Sequence, residues 1–280
     1  MTHRIPGAPW ILIILCLLLI WPSWKSYDSA LRYERQMAAV IQEFGFGKQA
    51  ERFATCLLDF SGACEREREA LSIRQVEAKA AQDTSFHYFY IFIGVAAFGL
   101  GLIYFMARRW TVLAVAMLIF SLIALAPALA APAMAAKAFT QVPVLGNVVH
   151  YFESKGILTT ILSLLRPGGS YGIGIPLLFF SVLIPVMKTL VLMVGVLSHG
   201  SIGRRSLWLA HKVGKWSMAD VSVVGWLLAF MATEHQTFMT AELQVGIFFF
   251  LTYVILSNAA SWLIEHQHPS EFPQPDTTGE

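Results

Sequence analysis

The sequence predicts an all-α polytopic membrane protein with six transmembrane helices and a small helical external domain between the first two. The 280-residue chain is 56% hydrophobic and only 14% charged, whereas a soluble domain is usually about 25% charged. Its mean hydropathy is +0.59. Residues 5–24, 86–107, 110–136 and 243–264 contain no Asp, Glu, Lys or Arg, and 171–198 and 216–233 contain one each, Lys188 and Asp220. All six are long enough to cross a hydrocarbon core about 30 Å thick.

The first transmembrane helix is expected within 1–24. It follows a short basic start (His3, Arg4), but Pro22-Ser23-Trp24-Lys25 offers no small-x-small cleavage site, and Leu15 before Cys16 does not suit a lipoprotein signal, so an uncleaved anchor is predicted. Residues 25–85 are hydrophilic and read as helical. Met37, Val40, Ile41 and Phe44 recur at helical spacing, and Phe53, Cys56, Leu57 and Phe60 repeat it after the Gly45-Phe46-Gly47 break. A third segment from Glu65 to Asp83 is rich in Glu, Arg and good helix formers. A small packed cap accounts for these stripes, and a docking surface for a partner is the functional alternative. Cys56 and Cys64 flank Ser61-Gly62 and form a disulfide candidate if this domain faces an oxidising compartment; two small buried thiols are the alternative. Cys16 reads as packing.

The second transmembrane helix is expected over 86–109, and a four-helix membrane module over 110–264. Short basic loops set orientation. Arg108 and Arg109 lie between spans two and three, and Arg204, Arg205, Lys212 and Lys215 between spans four and five, whereas the connection around Glu234 and His235 has neither Lys nor Arg. Both termini are therefore expected in the cytoplasm, with 25–85 and 137–170 in the periplasm. Within the latter, Ile157, Leu158, Ile161, Leu162, Leu164 and Leu165 form an apolar face ending at Arg166-Pro167-Gly168-Gly169. It is too short to span, which fits an interfacial or re-entrant helix or a loop helix packed on the bundle. Span three carries Ala124, Ala126, Ala128, Ala130 and Ala131, small residues that let helices approach closely in lipid, and Pro127 and Pro132 predict a bent outer end. The tail, 265–280, is acidic, contains proline and reads as disordered.

The two intramembrane charges carry the functional argument. An ionisable side chain in the middle of a membrane helix costs roughly 3 kcal/mol even on lenient scales, so it marks a candidate functional site. Lys188 lies about ten residues from the inner end of its span, on the order of 15 Å deep, and Asp220 about four residues in, roughly 6 Å deep. A lysine stem can close most of that difference, so an ion pair is expected. Ser181 shares the helix face of Lys188, Ser217 lies three residues before Asp220, and Thr252, Ser257 and Asn258 follow in span six. Lys188, Asp220, Ser181, Ser217 and Thr252 are therefore read as a polar network or the lining of a wet cavity, against the alternative of hydroxyls bonded to their own helices.

Other chemistry is not expected. A net charge of +2 without a basic stripe argues against nucleic-acid binding. Three cysteines without C-x-x-C make no four-ligand zinc site, and His266 and His268 lie in the acidic tail, so no metal or other cofactor is expected. No nucleophile stands beside a base, and the chain is not expected to be an enzyme.

Gly214-Lys215-Trp216-Ser217-Met218-Ala219-Asp220-Val221 resembles the G-[RK]-W-S-M-x-D-V signature of the paraquat-inducible protein A family, also called PqiA/LetA. Ser181 to Lys188, with Pro185 between, is similar to its S-x-x-x-P-x-x-K helix, and Leu251-Thr252 matches a step in its last span. The resemblance covers roughly 110–264 and marks Pro185, Trp216 and Met218 as structural motif residues. Family members commonly carry zinc-ribbon segments and often two modules, whereas this chain has one module, no ribbon, and an additional helix pair. The resemblance implies an inner-membrane protein that handles phospholipid with a periplasmic MCE-type tunnel protein as candidate partner. A non-transporting envelope-stress scaffold and a proton-coupled transporter of small amphiphiles are the competing readings.

Overall fold

The computed structural model describes residues 8–44, 63–107, 110–142, 146–198 and 239–267. They form α1 (Ala8–Phe44), α2 (Ala63–Ala107), α3 (Trp110–Ala130), β1 (Pro132–Val142), β2 (Gly146–Gly156), α4 (Ile157–Leu164), α5 (Tyr171–Leu178), a π-helical turn (Phe179–Leu183), α6 (Ile184–Leu197), β3 (Met239–Leu243) and α7 (Val245–Gln267). Among the described residues, five stretches are long and apolar enough to cross a membrane: Trp10–Gln42, Ser72–Met106, Trp110–Ala130, Tyr171–Leu197 and Val245–Gln267. The expected span over 216–233 lies outside the described residues, as do Cys56 and the tail beyond 267.

α1 and α2 form a long antiparallel hairpin. The hydrophilic segment expected as a domain over 25–85 takes, in its described parts, the form of continuous extensions of these two spans. One reason is visible in the burial pattern: Tyr33, Met37 and Val40 on α1 are buried, and Tyr33 and Met37 pack with Ala78 of α2. The apolar stripe read from the sequence thus continues the face buried by Leu15 and Leu19 lower down. Ser26 and Ser85 clasp the hairpin reciprocally, each hydroxyl donating to the other's backbone carbonyl at 2.8 Å. Polar contacts between membrane helices contribute about 0.6 kcal/mol on average.

The core joins α1, α2, α3 and α7. Phe249 of α7 meets Phe89 and Phe92 of α2 at ring-centroid distances of 5.0 and 5.2 Å. Ala114, Ala116, Ala124 and Ala128 of α3 are fully buried, and α3 packs closely along α7. Small side chains permit that approach in lipid, where packing rather than water exclusion drives association. α6 joins the edge of this core through Leu192.

The architecture departs from the all-α expectation in one respect. β1 and β2 pair antiparallel, and β3 adds to β1 to give an antiparallel sheet of order β2-β1-β3. Pro132 cannot continue the helical hydrogen bonding of α3, so the chain leaves as a strand. The segment expected over 137–170 therefore holds most of β1, all of β2 and the short helix α4. In α4 only Ile161 is fully buried, whereas Leu162 is exposed. The Thr159 hydroxyl caps α4, accepting from Gly156 N–H at 2.9 Å and donating to the Gly156 carbonyl at 3.0 Å. After the turn at Gly168, α5 packs back on α4, with Gly174 against Leu164 and Leu165.

Pairing alternates the side chains of the sheet between two faces. Lys137, Phe152 and Thr240 are aligned across it, as are Ala135, Ser154 and Glu242. This face turns toward the upper part of α1, where Phe152 packs edge-on against Tyr33 at 5.8 Å. Lys137 Nζ donates to Glu242 at 2.6 Å and sits over the Tyr33 ring at 5.5 Å. Burial alone would lower the Lys137 pKa, but the bond to Glu242 and the proximity of Tyr33 outweigh it and raise the value above the ordinary 10.5. Because the folded value is raised, this contribution to stability is fully present below the unfolded pKa and is lost only as pH rises through the folded one.

Sheet and bundle meet at the end of α3, where two glycines let backbones touch. A Cβ on Gly156 would lie 2.8 Å from the Ala131 carbonyl oxygen, and one on Gly246 would lie 2.6 Å from that of Pro132. Gly246→Ala is accordingly expected to destabilise the detergent-solubilised protein by about 1–3 kcal/mol. Gly101→Ala, with nothing within 4 Å of the added methyl, is expected to be neutral or slightly stabilising. Thermal unfolding of the two variants side by side checks this; equal losses would show that the contact at Gly246 is not a tight one.

Candidate functional site

The site is built on one face of the α5–α6 span. Gly174, Ser181, Pro185, Lys188, Leu192 and Gly195 are its buried positions, alongside Thr189. Pro185 explains the turn before it: proline has no N–H to donate four residues back, and its ring would crowd the carbonyl of Ser181. Residues 179–183 widen into a π-helical turn, in which the Ile184 N–H bonds the Phe179 carbonyl five residues earlier. Such insertions are frequent at functional sites. The turn holds Ser181 inward, 2% exposed, and its hydroxyl has no hydrogen-bond partner among the described residues.

Lys188 lies two turns beyond Ser181 and is 2% exposed. Its ammonium donates to Asn258 Oδ1 of α7 at 2.7 Å. This side-chain acceptor offsets part of the cost of taking an ammonium out of water. One residue on, Thr189 donates to the Pro185 carbonyl at 2.9 Å. Tyr253 of α7, fully buried, donates to the same carbonyl at 3.0 Å, and the two hydroxyl oxygens stand 3.4 Å apart. The Pro185 carbonyl is thus a shared acceptor that ties α7 to the start of α6.

Of the residues singled out in the sequence, Lys188, Ser181 and Pro185 are brought together on this face. Thr252 stands apart: its hydroxyl donates to the Phe248 carbonyl of its own helix at 2.8 Å, and it lies six residues from Asn258, about a third of a turn away around the axis. Ser257 bonds back to Val254 at 3.4 Å. Asp220, Ser217, Trp216 and Met218 lie outside the described residues, so the expected Lys188–Asp220 pair does too. Cys64 falls in the first turn of α2 and its proposed partner Cys56 lies outside the described residues. Cys16, half-buried in α1, is a free thiol. No cluster of three metal-ligating side chains occurs among the described residues.

Thr189 and Tyr253 were not anticipated. Their signal was slight: each neighbours a residue that was singled out, Lys188 and Thr252, but a hydroxyl inside an apolar run looks the same whether it bonds its own helix or a neighbour.

Comparison with known families settles the membership. The profile described as paraquat-inducible protein A matches residues 107–268, more than half of the chain. The chain belongs to the paraquat-inducible protein A family. It is a membrane protein of the Pqi system, and the match spans α3 to α7 together with the sheet. No curated protein and no solved structure matches the chain. Most of the α1–α2 hairpin lies ahead of the PqiA-type region.

The hydrogen bonds separate two kinds of hydroxyl. Tyr253→Phe removes an interhelical bond and is expected to lower stability by about 0.6 kcal/mol, and by no more than about 1.7 kcal/mol. Thr252→Val removes only a bond within its own helix and is expected to change stability less. Unfolding in the same detergent compares them, and a larger loss for Thr252→Val would contradict the assignment of Tyr253 as the link between α6 and α7.

Proposed function

We propose that this PqiA-family protein is a non-catalytic inner-membrane subunit that moves phospholipid between the cytoplasmic membrane and a periplasmic MCE-type carrier, in support of envelope integrity. The observation that carries the reading is Lys188, an ammonium almost wholly buried inside a 27-residue apolar span. A residue so costly to place there is retained for what it does with a polar group or charge. Ser181, buried in a π-helical turn two turns away with no described hydrogen-bond partner, extends the polar face along the span. An amphiphile passing along such a face finds donors for its headgroup, and the lipid-exposed side chains of the same span, among them Ile175, Phe179 and Leu183, accompany its chains.

The orientation follows from loop charge. Arg108, Arg109, Arg204, Arg205, Lys212 and Lys215 favour the cytoplasm, which places both termini inside and puts the hairpin tip and the sheet in the periplasm. There the short helix α4, partly exposed through Leu162, sits where it can shape a lateral opening to the bilayer. The carrier then meets the protein on the periplasmic side. Asp220, which the sequence offers as an ion-pair partner for Lys188, and Ser217 lie outside the described residues and enter this reading from the sequence alone.

Photo-crosslinking in cells tests this. A crosslinker replacing Ser181, which is buried away from bulk lipid, is expected to capture phospholipid, as is the control at Leu183, which is exposed to the bilayer in any case. Capture of neighbouring protein alone at position 181, with lipid still captured at 183, would leave the buried face without a transport role and favour a non-transporting scaffold.

A further inference from the structure

A groove opens between α1 and α3 at the sheet end of the bundle. It encloses about 480 Å³, and its lining is almost wholly apolar. Ile20, Trp24 and Tyr27 of α1 form one wall, and Ile123, Ala126 and Ala130 of α3 the other. From Ile20 to Tyr27, and from Ile123 to Ala130, is seven steps of about 1.5 Å, so the groove runs about 10 Å along the spans. Both helices carry a proline at this depth, Pro22 in α1 and Pro127 in α3. A proline removes one helical hydrogen bond and crowds the turn before it, which bends a helix and keeps two neighbours from closing along their length. The alanines of α3 divide accordingly. Ala114, Ala116, Ala124 and Ala128 are fully buried in the core, whereas Ala126 is exposed and Ala130 half-buried, both on the groove. The first set lets helices approach closely, and the second hollows a space.

Depth identifies the surroundings. Trp10 and Trp110 are exposed at one end of the spans and Trp21 and Trp24 at the other, as aromatic residues are placed at two membrane interfaces. The groove therefore begins at one interface, at Tyr27 and Ala130, and descends into the hydrocarbon layer toward Ile20 and Ile123. It is continuous with the bilayer-facing surface of the protein, because Ile20 and Trp24 on its rim are 51% and 65% exposed. A membrane helix of another subunit suits this rim poorly. Such contacts rely on small residues that let backbones approach, and here bulky Trp24 and Ile20 form the rim while the small residues line the hollow. A hydrocarbon chain is thin and flexible enough to enter.

We propose that this groove holds one acyl chain of a phospholipid from the leaflet at the sheet end, with the ester groups at the level of Trp24 and Tyr27. Those two side chains, whose rings stand 5.9 Å apart, bring an indole N–H and a phenol to the interface, and both can donate to an ester carbonyl or a phosphate oxygen. The donors matter because the chain itself gains little. Lipid tails are as apolar as the groove, so moving one out of the bilayer is nearly neutral. One wall belongs to α1, which lies ahead of the matched region 107–268, and the other to α3 within it. The hairpin thereby acquires a role that the PqiA-type region alone does not supply. The site deepens the lipid-handling reading and rests on it for the later fate of the lipid; in the orientation proposed above, the leaflet is the periplasmic one.

Photolabelling of the full chain in maltoside detergent micelles tests the site. The probe is a phosphatidylglycerol with a diazirine at mid-chain, added at rising mole fraction, with labelled peptides mapped by mass spectrometry. Labelling of residues 20–27 and 123–130 is expected to saturate and to be competed by unlabelled phosphatidylglycerol. Labelling around Gly94, on an exposed face of α2 where an added Cβ meets nothing within 4 Å, is expected to rise linearly. Ala126→Phe, which fills the hollow, is expected to lower groove labelling about tenfold and leave that around Gly94 unchanged. Trp24→Leu with Tyr27→Phe keeps bulk but removes both donors, and is expected to raise the half-saturating mole fraction about tenfold. Linear, uncompeted labelling of the groove would mark ordinary boundary lipid and overturn the site, and so would unchanged labelling in Ala126→Phe. An unchanged midpoint in the double variant would overturn the placing of the ester groups. Cross-linking to a second copy of the chain, in place of lipid, from a photoreactive residue at position 126 would assign the groove to a subunit contact. Should a variant fail to accumulate, the wild-type titration decides alone. Failure of the groove while cells still show lipid captured at position 181 would confine the error to the groove, whereas a saturable groove without capture at 181 would keep this site and withdraw the transport reading.

Discussion

Inside a bilayer a polar group has no water to turn to, so each one must find its partner within the protein. The arrangement of this chain is shaped by that constraint. Ser26 and Ser85 meet it reciprocally in the hairpin, and Thr189 and Tyr253 meet it at one carbonyl of α6. Lys188 has the largest demand, because its charge cannot be hidden by a bond to its own helix. It is buried where α7 offers Asn258, and that bond joins the same two spans that Tyr253 ties through the Pro185 carbonyl. Pro185, which frees the helix to widen before it, lets Ser181 and Lys188 point inward on one face.

The spans were legible in the sequence because lipid imposes a crude filter: eighteen or more residues with almost no charge has few other meanings. The buried face of the fourth span was legible for a similar reason, since Ser181, Pro185 and Lys188 recur at helical spacing in an otherwise apolar run. What escaped was pairing. Asn258 was visible as one polar residue among several in the last span, but nothing local says that it, rather than Thr252, faces Lys188. Thr252 bonds its own helix, and only the packing of α6 on α7 separates the two.

The sheet escaped for a different reason. β1 begins Pro-Ala-Met-Ala-Ala-Lys-Ala, alanine-rich and without the alternation of apolar and polar residues that marks a strand. Its buried positions Ala133 and Ala135 are no more apolar than the half-exposed Met134 and Ala136 between and after them, so the sequence shows no period of two. Besides pairing with β2, β1 pairs with β3, more than a hundred residues later, and backbones approach closely at Gly156 and Gly246, contacts that no local window contains. The hairpin helices α1 and α2 were read as helical, but their continuity across the expected domain boundaries depends on mutual burial along the whole length, which a windowed reading of hydropathy divides into pieces.

The PqiA-type region therefore combines a helical bundle, a periodic polar face in one span and a sheet at one end, with a helical hairpin laid alongside. The account stands or falls on whether the charge of Lys188 serves movement or architecture. A buried ion pair kept for architecture can often be replaced by apolar residues of similar volume with little loss, whereas one that changes state in a cycle cannot. The decisive measurement is membrane abundance together with resistance to bile salts in cells whose only copy carries Lys188→Met with Asp220→Leu. The account predicts a protein that inserts and accumulates as wild type but leaves the cells sensitive. Full resistance at wild-type abundance would contradict it.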